Sequence, residues 1–389
     1  MKDSQLPSHL TSYLDEERLA VSDFAYAIRS PGRINLIGEH TDYTGGLVMP
    51  AAIDKALYFL ARPVAAAEWR LHAVDLGKTY TLPLPVAGRS GELWVDYLAG
   101  IGTQFQDQGH FLPGLEIVFG GDLPRGSGMS SSAALEGGMA FLLNEVLGAQ
   151  LTRPQLAQLC QRSSNTFLGI PSGVMDQFAS LNGLATGPIV LNCHTLEFEP
   201  VKDAMTDYTL LLINTMVSHD LSDGAYGERV AACDRALAAI RQKFPDVDYL
   251  SAALPAQLAA VRDTLDGVTF RRASYVLAEN QRVRSAIHAL ESGSGHELGR
   301  LMNATHAGLR DDYEVSCAEL DFLQSFATRL PAVAGARMMG GGFGGCTINL
   351  VQLDAVDVVV STVRPAYRKH FGLDCEVYPV RLAAGTSEF

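Results

Sequence analysis

From Leu115 to Gly148 the chain reads LEIVFGGDLPRGSGMSSSAALEGGMAFLLNEVLG. Leu115 to Phe119 is a short apolar run with strand composition. The Gly, Pro and Ser that follow break it, and the segment rich in Ala, Leu and Met that ends near Gly148 is helical in composition. A buried strand, a glycine loop and a helix therefore follow one another. The first turn of such a helix offers unpaired N–H groups and a partial positive charge. Glycines let backbone come close to a ligand, and serines add hydroxyl donors, so Gly126, Ser127, Gly128, Ser130, Ser131 and Ser132 suit a phosphate cradle. Serine at a helix start is also a common cap, but a cap needs one serine and leaves the rest unexplained. The chain contains no G-x-x-x-x-G-K-S/T, so a nucleotide held here is held otherwise than by a P-loop.

A length of 389 residues exceeds one usual hydrophobic core and predicts two domains. The pattern restarts after residues 190 to 205, which divides the chain into 1–195 and 196–389. Short strands bracket residues 30–46, and LWVDYLAGIGTQF has helical spacing with Trp94, Leu98 and Ile101 on one face. Helices are expected from Pro154 to Phe167, from near Met175 and from Ala225 to Arg241, and a helical block over 255–330. Two glycine-hinged strands and a last strand, CEVYPVRL, close the chain.

Hydrophobic residues make up 47% and charged residues 19%, an ordinary globular balance. The formal charge of −13, with no basic run beyond pairs such as Arg271 and Arg272, argues against nucleic acid or an anionic membrane as partner. Six scattered cysteines form no C-x-x-C, and the N-terminus lacks a signal-peptide pattern. A cytoplasmic protein with reduced thiols is the expectation.

The stretch SPGRINLIGEHTDYTGG gathers Arg33, Glu39, His40 and Asp42 around one apolar segment and reads as strand, polar loop, strand. Carboxylates accept hydrogen bonds from sugar hydroxyls, which suits Glu39, His40 and Asp42; a turn held by its own side chains fits the same residues. Phosphoryl transfer to an alcohol asks for a positioned hydroxyl and positive charge around the phosphoryl oxygens, for which Asp176 in GVMDQ and Arg33 are candidates. An Asp at a helix start also serves as a dipole partner. The run Gly340 to Gly345 fits the dinucleotide fingerprint G-x-G-x-x-G only formally, because a strand-like segment follows where a helix is required. It is either a flexible hairpin or a place of close backbone approach to a ligand.

Three of these motifs converge on one family. SPGRINLIGEHTDYTGG resembles the signature of galactokinases, LPRGSGMSSSAAL the phosphate loop of the wider GHMP kinase superfamily, and MMGGGFGGCTINLV its C-terminal glycine motif. Further matches lie at GVMDQ, VSHDLSDGAYGERVAAC and LRDDYEVSCAELD, so the resemblance spans about residues 25 to 380. It implies an α+β fold: an N-terminal domain of the ribosomal-S5-domain-2-like type and a ferredoxin-like C-terminal domain, with ATP and sugar in the cleft between them. It implies transfer of a phosphoryl group from ATP to the anomeric hydroxyl of α-D-galactose by a monomer. Asp176 then corresponds to the catalytic aspartate and Arg33 to its partner, while Glu39, His40, Asp42, Gly173 and Tyr226 match sugar-contacting positions. Gly126 to Ser132 would hold the phosphates, Trp94 would lie near adenine, and Ser131, phosphate oxygens and water would hold Mg²⁺.

The chain also departs from the family pattern. Many relatives carry a glutamate five residues before the glycine that is here Gly169, and the resemblance gives it a role toward Mg²⁺; this chain has Ser164. Met129 replaces a usual leucine, Met339 a common threonine, and YGERV has one arginine where two are frequent. A kinase of another sugar, such as N-acetylgalactosamine or arabinose, and a non-catalytic galactose- and ATP-binding sensor are the alternatives.

Overall fold

A computed structural model describes residues 6–124, 126–170, 172–218 and 222–389. Arg125 of the serine loop, Pro171 and residues 219–221 of the VSHDLSDGAYGERVAAC motif lie outside them. In the first part of the chain follow α1 (Ser8–Glu16), β1 (Tyr26–Asn35), β2 (Leu47–Val48), β3 (Pro50–Pro63), β4 (Glu68–Ala73), β5 (Lys78–Pro83), α2 (Leu93–Asp107) and β6 (Leu115–Gly121). Then come α3 (Ser131–Leu147), α4 (Arg153–Arg162), α5 (Met175–Asn182), β7 (Ile189–Asn192) and β8 (Phe198–Pro200). The second part runs β9 (Tyr208–Ser218), α6 (Ser222–Lys243), α7 (Pro255–Ala259), α8 (Gly267–Glu291), α9 (Gly295–Asp311) and α10 (Ala318–Ala327). It ends with β10 (Val333–Met338), β11 (Gly344–Gln352), α11 (Val356–Phe371), β12 (Glu376–Val380) and β13 (Ser387–Glu388).

The six-stranded sheet has the order β13-β1-β3-β6-β4-β5, antiparallel except where β4 meets β6. Its long central strand β3 alternates strictly: Leu57, Phe59 and Ala61 face the main core, while Ala56, Tyr58 and Leu60 face a smaller cluster built with Leu10 and Leu14 of α1. On the main-core face α3 and α5 pack on β1 and β3, and α2 and α4 pack on α3. Helix α3 is buried on nearly every side, which explains a composition that is apolar all round. It ends at Gly148 in the left-handed conformation, as a C-cap glycine does.

The second sheet is antiparallel, order β10-β11-β9-β12. Leu211 and Ile213 of β9 face a cluster with α10 and α11, whereas Leu212 faces the main core. Helices α6 to α9 build a third cluster around Tyr275 and Tyr313. Among the described residues no helix is long and apolar enough to cross a membrane.

Three expectations change in detail. Strand β1 runs on to Asn35, so Arg33 stands on a strand, just past a register irregularity between Pro31 and Arg33, and not on a polar loop. The helix expected to reach Phe167 is α-helical only to Arg162; a π-turn, Ser163–Leu168, follows. A division at 195/196 assigns β13 to the second part, yet β13 pairs with β1 through Ile28–Glu388 and Arg29–Ser387.

Phe59 is fully buried and stacks on Phe119, with ring centroids 5.5 Å apart. Phe59→Ala is expected to cost about 3–5 kcal/mol in urea unfolding, because the middle of a sheet cannot collapse into the cavity. A cost below ~1 kcal/mol would contradict this placement.

Candidate active site

Arg33 leaves β1 buried, with its backbone N–H donated to Met129 O at 3.1 Å. Its Nε and Nη2 donate to the two carboxylate oxygens of Asp176 at 2.7 and 2.8 Å, and its Nη1 donates to Gly128 O. This two-pronged grip matches the planar guanidinium to the planar carboxylate. Asp176 stands in the first turn of α5 with about a third of its side chain exposed. Ser130 precedes α3 in the left-handed conformation, φ 55°, and makes no capping bond; its hydroxyl donates to Asp176 instead. A non-glycine residue held there costs energy that its surroundings must offset. Capping therefore does not account for Ser130, and three separate segments meet on one carboxylate.

Arg33 and Asp176 lie in a cleft of about 700 Å³ walled by residues of β1, α2, α3, α5, α6 and the glycine run. Glu39, His40, Asp42, Gly173 and Tyr226 line it too, so all the expected sugar-contacting residues come together. Gly173 is glycine for a steric reason: a Cβ there would sit 1.7 Å from Asp42 Oδ2. Burial, then the like charges of Asp176 and Glu39, push the Asp42 carboxyl up to about 7. Burial holds His40 down at about 4, hence neutral. Its Nε2–H donates to the Gly341 carbonyl at 3.3 Å, which leaves Nδ1 to accept from the Tyr43 hydroxyl at 3.0 Å; Tyr43 and Tyr313 hydroxyls are 2.6 Å apart. The Tyr226 ring lies 5.9 Å from His40 and 5.3 Å from Tyr43.

The glycine run closes the far side. Gly340 N–H donates to Glu39 Oε1 at 3.1 Å, and the same oxygen accepts from Arg337 Nη1 at 3.0 Å. Arg337 is fully buried and also donates to the carbonyls of Asn35, Leu36 and Met338. Gly342, at φ 88°, lies so near the segment between α9 and α10 that a Cβ would sit 2.0 Å from Val315 O. The run thus approaches the cleft closely, and the strand β11 that follows it removes the dinucleotide reading.

Residues that sequence reasoning missed form the inner wall. Glu136 of α3, 0% exposed, accepts from Ser164 Oγ at 2.6 Å and from Gln177 Nε2 at 3.0 Å. Burial is the main reason its carboxyl rises to about 7. The available signal was its position four residues after Ser132, which puts both on one helical face. Arg337 gave no signal: one arginine in AGARMM reads as an ordinary strand residue.

Other expected residues lie outside the cleft lining. Among the serines that begin α3, Ser132 lines the cleft and Ser131, the expected metal ligand, does not. Gly126 and Gly128 adopt positive φ (69° and 73°), and Ser127 donates to Pro124 O within its own loop at 2.6 Å. Trp94 packs on Phe119 and Tyr80, its Nε1–H donated to Glu92 at 3.2 Å.

Residues 16–63 match the galactokinase galactose-binding signature, residues 96–184 the GHMP kinases N terminal domain and residues 286–369 the GHMP kinases C terminal domain. A galactokinase of Clostridium beijerinckii is 36% identical over 377 residues, covering 96% of this chain and 97% of that protein. The chain belongs to the galactokinase family. A galactokinase of Roseiflexus is 36% identical, over 92% of this chain and 91% of its own. The crystal structure of Lactococcus lactis galactokinase complexed with galactose superposes with a TM-score of 0.93 at 35% identity, covering 98% of this chain and 99% of that one. The mevalonate kinase of Methanococcus jannaschii, 17% identical with a TM-score of 0.67 over 92% and 98% of the two chains, shares the fold. The α+β, GHMP-type architecture expected of the sequence is thereby confirmed.

For this galactokinase-family chain the buried Glu39–Arg337 pair is testable as structure. Arg337→Met should lose about 3–5 kcal/mol by chemical unfolding, since it strands a buried carboxylate. Adding Glu39→Gln should recover part of that loss; a further, additive loss would show that the two do not act as a pair.

Proposed function

We propose that the protein transfers the γ-phosphoryl group of ATP to the anomeric hydroxyl of α-D-galactose, giving galactose 1-phosphate and ADP, the entry step of galactose breakdown. The observation that carries the reading is the convergence of Arg33, Ser130 and Asp176 beside Glu39, His40 and Asp42 in one cleft. Its support is the match to the galactose-binding signature and the likeness to a galactokinase described as complexed with galactose.

In this reading Asp176 orients the sugar hydroxyl and takes its proton as the oxygen–phosphorus bond forms. The phosphorus–oxygen bond to ADP breaks at the same centre, and a loose transition state asks little of a base, so orientation is the larger share. Arg33 fixes the direction of the carboxylate and places positive charge near the phosphoryl group. Because Ser130 holds the same carboxylate, the phosphate loop and Asp176 are in register before ATP arrives. Asp42, Glu39 and Tyr226 receive the remaining sugar hydroxyls, and neutral His40 keeps the glycine run against them. Gly126 to Ser132 cradle the phosphates at the start of α3, with the adenine directed toward Trp94 on α2. The chain acts in the cytoplasm as a monomer.

A hard cation fits this wall. Ser132, Glu136, Ser164 and Gln177 present only oxygen among their potential ligand atoms, and Gln177 Oε1 is buried without a partner. Mg²⁺ held here with ATP would supply positive charge that offsets the charge of the phosphates.

ADP formation from Mg·ATP that depends on galactose is the direct test, run across a panel of sugars. A preference of tenfold or more in kcat/KM for another sugar, about 1.4 kcal/mol, would overturn galactose as the substrate. Asp176→Asn is the informative variant, because Asp176→Ala would strand the buried Arg33. It should lower kcat roughly 10²–10⁴-fold and, keeping one acceptor for Arg33, should cost less in unfolding than Asp176→Ala. Asp42 gives a pH dependence whose sign is fixed. A sugar hydroxyl donates to its carboxylate but not to a protonated oxygen already donating, so affinity falls as pH drops through about 7. Calorimetry should show galactose bound roughly tenfold more weakly at pH 6 than at pH 8, and Asp42→Asn should flatten the profile.

A further inference from the structure

Among the described residues, Glu136 is a buried carboxylate with no cation paired to it. Its hydrogen-bond partners are Ser164 and Gln177, and the nearby charge that acts on it is the like charge of Asp176. Such a group is retained at a cost, which a bound cation would remove. Two further residues share its wall of the cleft. Ser132, one helical turn earlier on α3, lines the cleft beside it. Gln177, 4% exposed, turns its Nε2 to Glu136, which leaves Oε1 without any partner in the cleft wall. A carboxylate, a hydroxyl and an amide oxygen from two helices thus stand on one wall of the cleft, beside the start of α3. All are hard oxygen donors, the preference of Mg²⁺, which completes its shell with phosphate oxygens and water.

We infer that Glu136 and Ser132 are this chain's own ligands for the magnesium ion that accompanies ATP, with Ser164 holding the Glu136 carboxylate in place and Gln177 completing the oxygen set. The inference rests on the kinase reading and replaces the expectation of Ser131. It also gives Ser164 a role: its short side chain reaches Glu136 by a hydrogen bond from the position where the resemblance puts a glutamate. The carboxylate charge is present in this chain, but it comes from α3.

The test is a titration of Mn²⁺, as a magnesium substitute, into the full-length protein with ADP and galactose, reading free Mn²⁺ by electron paramagnetic resonance. Galactose binding is followed by calorimetry alongside. Glu136→Gln should raise the Mn²⁺ midpoint roughly tenfold or more while the galactose Kd stays within about twofold. Adding Ser164→Glu to that variant should bring the midpoint back toward the original. A midpoint unchanged within about twofold in a folded, galactose-binding Glu136→Gln protein would overturn the assignment. Should that variant not fold, Glu136→Asp, which keeps the charge but shortens its reach, should shift the midpoint roughly threefold or more, and no shift would overturn it equally. Absence of galactose binding by the unaltered protein would instead bring down the kinase reading on which the inference stands.

Discussion

A guanidinium removed from water survives only if nearly all its donors are met, and Arg337 meets that demand with parts of both halves of the chain. Carbonyls of Asn35 and Leu36 at the end of β1, its neighbour's carbonyl on β10 and the Glu39 carboxylate take its protons. Because the last of these also accepts from Gly340, the sugar loop and the glycine run are fastened at one oxygen. Glu39 and Gly340, which both face the cleft, take their positions from this knot. His40 repeats the connection one step further along, through the Gly341 carbonyl.

The second fixed point is Asp176. It receives a bidentate arginine from β1 and a hydroxyl from the residue before α3, while itself standing on α5. A lysine could supply the charge but not the two parallel bonds that set the plane of the carboxylate. The site is thus preorganised by groups that are themselves buried or strained: Arg33 in the wall, Ser130 in a left-handed turn, and Gly173 pressed against Asp42. Burial that fixes geometry also makes charge expensive. Asp42 and Glu136 both rise to about 7, and each of them faces the cleft where a ligand can relieve the cost.

Most of the site was legible because its residues cluster in sequence or recur in motifs: the serine loop, the signature with Arg33, Glu39, His40 and Asp42, and Asp176 in GVMDQ. The strand, loop and helix around the serines came out as read, with β6 and α3 in place. The gathered polar residues made the signature read as a loop from its start, whereas β1 runs on past an irregularity of register and carries Arg33 on a strand. Glu136, Gln177 and Arg337 were not found, each for the same physical reason. A polar residue inside an apolar helix or strand looks like a solvent-facing position until the partners that bury it are known, and those partners lie far away in sequence. The choice between Ser131 and Ser132 depends on helix phase, which no local pattern fixed.

The six-stranded sheet has one more property, set by the order in which its strands are made. Its edge next to β1 is filled by Ser387–Glu388, and the buried Thr386 hydroxyl meets the Ser30 hydroxyl, 356 positions away, and donates to the Ser180 carbonyl. During synthesis β1, β3 and β6 leave the ribosome early, but β1 keeps an unpaired edge until nearly all the chain described here has followed. An open edge of this kind is a template for pairing with another chain. The nascent protein therefore passes through a long interval in which its first sheet is built but unsealed. The short tail is what closes this edge.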